Sequence, residues 1–325
     1  MENLKSKKLF KEFSDKHAKD LTISLQFNWW NEVVKDNWDV AILNNGEDTY
    51  GIMPYFIRNK GPWSFISNAH FTPYGGPFLI YPEGQKTTTR IAFEHRAHRE
   101  LIEQLPSFSE FSQNFQIEFN NALAFIWSGF TETNRYTYLL SLEQEEKALW
   151  SGLRENNRKQ IKKAKKTINV SETNNASLLQ NILNQSIENK IELNYFQRMI
   201  TFVENYNCGI VWKATEGDDV HAVLLCITDA DSAYYLLGGN AQEFKNSGAM
   251  SVLTWRALLH FKQKGIKKFN FEGSSVASVE KYFRGFGGKL ISFKRIEKHN
   301  SKSLEVAKKL KGSKSKSLPK LQIPS

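Results

Sequence analysis

The chain has 325 residues, 40% of them hydrophobic and 13% aromatic, with a formal net charge of +10. That length and aromatic content exclude a disordered or fibrous chain and are enough for two medium domains, each with its own core. The two cysteines, Cys208 and Cys226, exclude a disulfide scaffold and point to a reducing compartment. With no apolar leader at the N-terminus and no run long enough to span a bilayer, the expected location is cytoplasmic.

Taken in order, residues 1–20 predict a short amphipathic helix pointing Leu9, Phe10 and Phe13 inward, and Phe27 to Trp30 a second short helix. Two antiparallel strands follow, Trp38 to Leu43 and Tyr50 to Ile57, joined by the turn signal Asn44-Asn45-Gly46-Glu47-Asp48. Lys60-Gly61-Pro62 turns into a third strand from Trp63 to Ile66. Phe71 to Phe78, F-T-P-Y-G-G-P-F, is a rigid loop holding Tyr74 at its tip. Thr87 to Gln104 is helical, with His95, Arg96, His98 and Arg99 expected on its solvated face. The spacing of His95 and His98 suits a metal pair, but no third ligand accompanies them, so no metal is expected. A strand is predicted from Phe115 to Phe119.

Glu143 to Lys166 reads as one helix with a narrow apolar seam at Leu149, Leu153, Ile161, Ala164 and Ile168. Residues 151–166 carry seven basic side chains against Glu155. Arg154 and Arg158 are candidates to grip donor phosphates or RNA through paired N–H groups. The same charges also suit a plain solvated face. Helices are expected from Ala176 to Asn189 and Asn194 to Glu204. Strands are expected at Gly209 to Thr215, Val220 to Thr228 and Ala233 to Gly238.

Asn246-Ser247-Gly248-Ala249 opens a helix whose Met250, Leu253, Trp255, Leu258, Leu259 and Phe261 wrap most of its circumference, so it should be buried. Gly265 ends it. A helix start with small side chains leaves backbone N–H groups and the positive dipole end open, a seat for phosphate at Ser247, Gly248 and Ala249. An ordinary cap is the alternative. A strand at Lys268 to Phe271, the turn Glu272-Gly273-Ser274-Ser275, a helix from Val279 to Phe286 and a strand from Leu290 to Ile296 complete the order. Residues 301–325 hold seven lysines against Glu305, a net +6 that leaves +4 for the rest. This tail reads as partly disordered and able to lean on an anionic lipid surface or nucleic acid.

F-N-F-E-G-S followed by V-E-K-Y-F-R-G-F-G-G-K resembles the C-terminal signature of the GNAT-like acyltransferases of the FemAB/FemX and BioF2-like group. Y-G-G-P at Tyr74, G-F…R-Y-T-Y at Gly129 to Tyr138, and the basic element around Arg158 to Lys166 resemble further parts of that group. The resemblance implies an α+β chain of two tandem GNAT-like (acyl-CoA N-acyltransferase) domains, with mixed central sheets flanked by helices. The expected division is residues 1–133, 134–300 and a tail. It implies acyl transfer from acyl-CoA, acetyl-CoA first, to a small-molecule or envelope-precursor amine.

In that setting the helix start at Ser247 to Ala249 holds donor phosphates and Glu272 takes the amine proton. Lys281 and Arg284 face an acidic acceptor, Tyr282 shapes the pocket, and Tyr74 lies near the cleft. Phe283 stands where FemX-like ligases carry a lysine. That departure weighs against a murein precursor and against aminoacyl-tRNA as donor, although the basic helix keeps tRNA open as a partner. A non-catalytic ligand binder is the third reading. No P-loop, zinc-protease, C-x-x-C or nucleophile-elbow motif competes.

Overall fold

The structure is a computed structural model. It describes residues 2–46, 48–185, 190–273 and 276–312. Parts of the N-G turn, the far end of the helix expected to reach Asn189, Ser274-Ser275 and the tail beyond 312 lie outside the described residues. The described elements run from α1 (Glu2–Lys16) through β1 (Trp38–Asn44), β2 (Thr49–Lys60), β3 (Trp63–Ser67), β4 (Phe78–Leu79), α2 (Thr87–Glu103), β5 (Glu110–Asn114) and α3 (Leu123–Trp127). Next come β6 (Thr131–Ser141), α4 (Glu146–Gly152), α5 (Glu155–Ala164), β7 (Asn169–Glu172), α6 (Ala176–Leu183) and α7 (Leu193–Tyr206). Then follow β8 (Gly209–Glu216), β9 (Asp219–Thr228), β10 (Ser232–Asn240), α8 (Ala249–Gln263), β11 (Lys268–Asn270), α9 (Ala277–Arg284), β12 (Lys289–His299) and α10 (Lys302–Gly312). No described helix is long and apolar enough to cross a membrane.

Two compact units result: one from the chain up to Arg135 and again from Ser292, the other from Tyr136 to Ile291. In the first unit the strand order is β1-β2-β3-β5-β12, with β4 on β2. β1, β2 and β3 form an antiparallel meander (Trp38↔Phe56, Ile57↔Ile66). β5 joins β3 in parallel and β12 antiparallel (Phe65↔Glu110, Asn114↔Arg295). Its core sets Met53, Tyr55, Ile66, Phe111, Phe115 and Ile296 against Phe93, Ala97 and Leu101 of α2. Phe10 and Phe13 of α1 are buried as expected, and Trp29 and Trp30 start a π-helical turn.

The sequence placed a strand at Phe115 to Phe119, yet β5 ends at Asn114. Its polar E-F-S-Q-N segment gives no period-two signal, and neighbours far along the chain supply the pairing on both sides. His98, expected in solvent, is 4% exposed. Its ring packs between Phe119 and Phe125, and burial pushes its pKa down to about 4, so it is a neutral core side chain.

In the second unit the order is β6-β11-β10-β9-β8-β7. β9 through its middle is buried on both faces, from Ala222 to Ile227. One face carries α8, whose Leu253, Ala257, Leu258 and Phe261 meet Trp212, Leu224 and Cys226. α6 and α7 lie against the strands through Leu183, Phe196 and Met199, which are also buried. The helix read across Glu143 to Lys166 breaks at Leu153-Arg154, both extended, into α4 and α5. β7 pairs with β8 and was not foreseen.

Candidate active site

The site residues of the second unit are set by where β10 and β11 part. They pair in parallel over Ser232↔Lys268, Ala233↔Phe269 and Tyr234↔Asn270. β11 then stops, while β10 continues to Asn240. The stop is a backbone device: Glu272 and Gly273 both take left-handed conformations, φ 59° and 70°. Gly273 is required there, because a Cβ would lie 1.9 Å from the Tyr136 carbonyl oxygen on β6. A glutamate with positive φ is strained and persists only where its surroundings hold it. Asn270 does the holding: its Oδ1 accepts the Glu272 N–H at 2.9 Å and the Thr137 hydroxyl at 2.6 Å.

Glu272 is only part-exposed, and its Oε1 is shut off from solvent without a hydrogen-bond partner among the described residues. Burial first, and the nearby charge of Asp229 second, raise its pKa well above the carboxylate range. It is therefore a carboxyl that keeps its proton into pH values where ordinary glutamates have lost theirs.

The second element is the start of α8. Gly248 caps it with φ 81°, and the Ser247 hydroxyl accepts the Ala249 N–H at 3.2 Å. The N–H groups of Met250 and Ser251 have no backbone partner among the described residues. This end is closely neighboured: a Cβ on Gly248 would lie 3.1 Å from the Ala164 Cβ and 3.3 Å from the Gln160 carbonyl oxygen of α5. Gln160 Oε1 also accepts the Ser251 hydroxyl at 3.1 Å. One turn on, the Thr254 and Tyr282 hydroxyls are 2.8 Å apart, and Thr254 donates to the Met250 carbonyl at 2.9 Å. Burial raises the Tyr282 phenol. Tyr282 thus meets the first turns of α8 beside the Ser247–Ala249 start.

The remaining residues divide. Arg154 stays exposed, and its N–H bonds the Gly285 carbonyl at 2.9 Å. Arg158 turns back instead, donating from Nη1 to the Ser151 carbonyl at 2.9 Å and to that of Leu153, so its fork caps the end of α4. Lys281 is exposed. Arg284 pairs with Glu280 at 2.9 Å, and Glu280 accepts the Tyr138 hydroxyl at 2.6 Å. Burial and that carboxylate push the Tyr138 phenol up to about 12. Tyr74 belongs to the other unit, 2% exposed, with its ring edge-on to Phe293 at 5.2 Å.

The F-R-G-F-G-G run, the strongest sequence signature, is a packing device. A Cβ on Gly285 would meet the Asn157 side chain at 2.6 Å, and one on Gly287 the Gly152 carbonyl at 2.7 Å. Sequence reasoning missed Ser251, Thr254, Gln160, Asn157 and the Thr137–Asn270 pair. The available signal was Ser251 and Thr254, two hydroxyls at i, i+3 in the apolar first half of the helix. No group of three or more His, Cys, Asp or Glu able to hold a metal occurs among the described residues.

A parallel strand pair that opens at one end, a buried helix joining the two strands, and an antiparallel meander before them define the acetyltransferase-type α+β fold. Residues 191–284 match the family model described as the acetyltransferase (GNAT) domain. More particularly, the chain shares its overall fold with FemX. The crystal structure of FemX superposes with a TM-score of 0.61 at 11% identity, over 94% of this chain and 98% of that one. The C-terminal domain of a putative lysylphosphatidylglycerol synthetase from Agrobacterium fabrum gives 0.56 at 10% identity, over 93% and 95%. A tandem GNAT protein from the clavulanic acid biosynthesis pathway gives 0.52 at 9%, over 81% and 82%. No curated protein matches the sequence.

Proposed function

We propose that the protein is an N-acyltransferase that moves an acyl group from acyl-CoA, acetyl-CoA first, to the amine of a small-molecule or cell-envelope precursor. The observation that carries this reading is Glu272: a carboxyl with raised pKa and an oxygen without a partner among the described residues, on a strained turn where β10 and β11 part. Such a group, once ionised, is a stronger base than an ordinary glutamate. In the proposed step the amine nitrogen attacks the thioester carbonyl carbon, the C–S bond breaks and the sulfur leaves as thiolate, which takes up the proton that Glu272 has removed from the amine. Glu272 takes the amine proton, directly or through water. Backbone N–H groups along the open edge of β10 meet the developing oxyanion. Ser247, Gly248 and Ala249 are proposed to seat the donor phosphates, with Arg154 beside them. Lys281, Arg284 and Tyr282 are proposed for the acceptor. We read the two units as two copies of the fold, working in the cytoplasm and without a metal.

One observation favours a second donor. Lys159, Lys162, Lys163, Lys165 and Lys166 are all exposed on and just after α5, a ridge that suits the phosphates of an aminoacyl-tRNA. The folds it resembles include FemX and a lysylphosphatidylglycerol synthetase. Thermal shift with coenzyme A, acetyl-CoA and charged tRNA, followed by turnover with the donor that binds, tests the reading. A shift with acetyl-CoA that salt leaves standing supports the first donor; a salt-sensitive shift with charged tRNA alone moves the assignment to the second. Ligand-induced stabilisation without turnover leaves a non-catalytic binder.

A further inference from the structure

Nine large apolar side chains are exposed among the described residues, and four of them, Ile91, Leu123, Ile126 and Trp127, stand on the neighbouring helices α2 and α3 of the first unit. α3 is five residues long, with Ala124 and Phe125 facing the core. Leu123, Ile126 and Trp127, at i, i+3 and i+4, therefore share its outer face, and they are 43%, 41% and 60% exposed. α2 runs alongside: the His95 ring meets Trp127 edge-on at 4.7 Å. One turn before His95 stands Ile91, 41% exposed, and one turn after it Arg99, also exposed. The row Ile91–His95–Arg99 and the outer face of α3 thus form one apolar patch with a cation at its edge.

Positive charge also marks the other end of α3. The Lys298 ammonium donates to the Ser128 carbonyl at 2.7 Å and lies 4.9 Å from the Phe130 ring. Just beyond it the chain enters the basic segment, where residues 302–325 hold seven lysines and one acid. α10, which opens that segment, is anchored by buried Leu304 and shows Val306 outward at 56% exposure.

We infer that this face docks on an anionic membrane surface. A tryptophan with aliphatic neighbours on one short helix, rimmed by lysine and arginine, has the composition of an interfacial anchor. The cations select anionic lipid over zwitterionic lipid. A second copy of the chain is the poorer occupant, because a two-fold contact through this face brings the cations Arg99 and Lys298 of both copies into one interface. The inference does not rest on the transferase reading.

The test is co-sedimentation of the full chain with phosphatidylcholine vesicles, with and without phosphatidylglycerol. Trp127→Ser and Arg99→Glu are compared with the parent, and melting is checked for each. Trp127 is mostly exposed, so its variant should melt with the parent. Binding should appear with phosphatidylglycerol, weaken with salt, and fall about tenfold in Trp127→Ser, the scale of losing one large apolar side chain from the interface. Brominated lipid should quench the parent's fluorescence more than the variant's. The inference is overturned if anionic vesicles do not bind the parent, if Trp127→Ser binds as tightly as the parent, so that the lysines act alone, or if the parent self-associates and Trp127→Ser abolishes that instead.

Discussion

Replacing Glu272 by glutamine should stabilise the protein while slowing it, and the pH dependence carries the argument. In the unfolded chain this carboxyl ionises near 4.5, whereas burial and Asp229 raise the folded value well above that. Between the two values the native state holds a proton that the unfolded state has lost. Stability is then complete below the unfolded value and declines as pH rises toward the folded value, by about 1.4 kcal/mol per pH unit. Glutamine keeps the shape and the neutral state, so the decline disappears. The gap in unfolding free energy between variant and parent should open from about pH 5 upward at that slope, roughly 2–4 °C of melting temperature per kcal/mol. Scanning calorimetry of both proteins across that range measures it, and turnover of the variant should fall more than its donor affinity. Parallel stability curves would refute the buried-carboxyl account; an unaltered rate would remove Glu272 as the base.

Three further substitutions separate packing from binding. Gly248→Asp is a poor probe of the donor seat, because φ 81° and contacts at 3.1 and 3.3 Å would strain any side chain there. Ser247→Asp keeps an N-terminal cap and adds the negative charge, so coenzyme A affinity should drop at unchanged melting temperature. Arg158→Met should cost about 1–2 kcal/mol in denaturant midpoint through the lost cap on α4 and leave donor affinity intact. Gly273→Ala should cost more than about 3 kcal/mol or prevent folding of the second unit, since the new Cβ has no room against Tyr136; a near-neutral effect on the midpoint would contradict the placement of that turn.

Local patterns were legible where local chemistry decides. The meander around Lys60-Gly61-Pro62, the strands from Gly209 to Gly238 and the buried helix ended by Gly265 all stand within a few residues of the expected places. β5 was displaced because Glu110, Ser112 and Asn114 carry no strand signal of their own. The break at Leu153-Arg154 was hidden because the apolar seam continues in phase across it, and the Arg154 N–H is drawn to Gly285, 131 positions away by numbering. Of the candidate site, Glu272 and the small residues at Ser247–Ala249 were visible as types at junctions. The partners that give them character, Asn270, Thr137 and Gln160, were not, because nothing in the sequence ties them together.

Residue pattern alone set the element types, the apolar faces and the small residues at the ends of strands and helices, since period, propensity and capping act within a few positions. Tertiary structure decided what those residues do. It turned Arg158 into a helix cap and the glycines of F-R-G-F-G-G into contact points, and it buried His98 neutral. It also left one Glu272 oxygen without a partner among the described residues, beside a strand that stops short. Burial, desolvation and close approach arise only when segments distant in the chain share the same space, and those are the effects that turn a residue type into a chemical role.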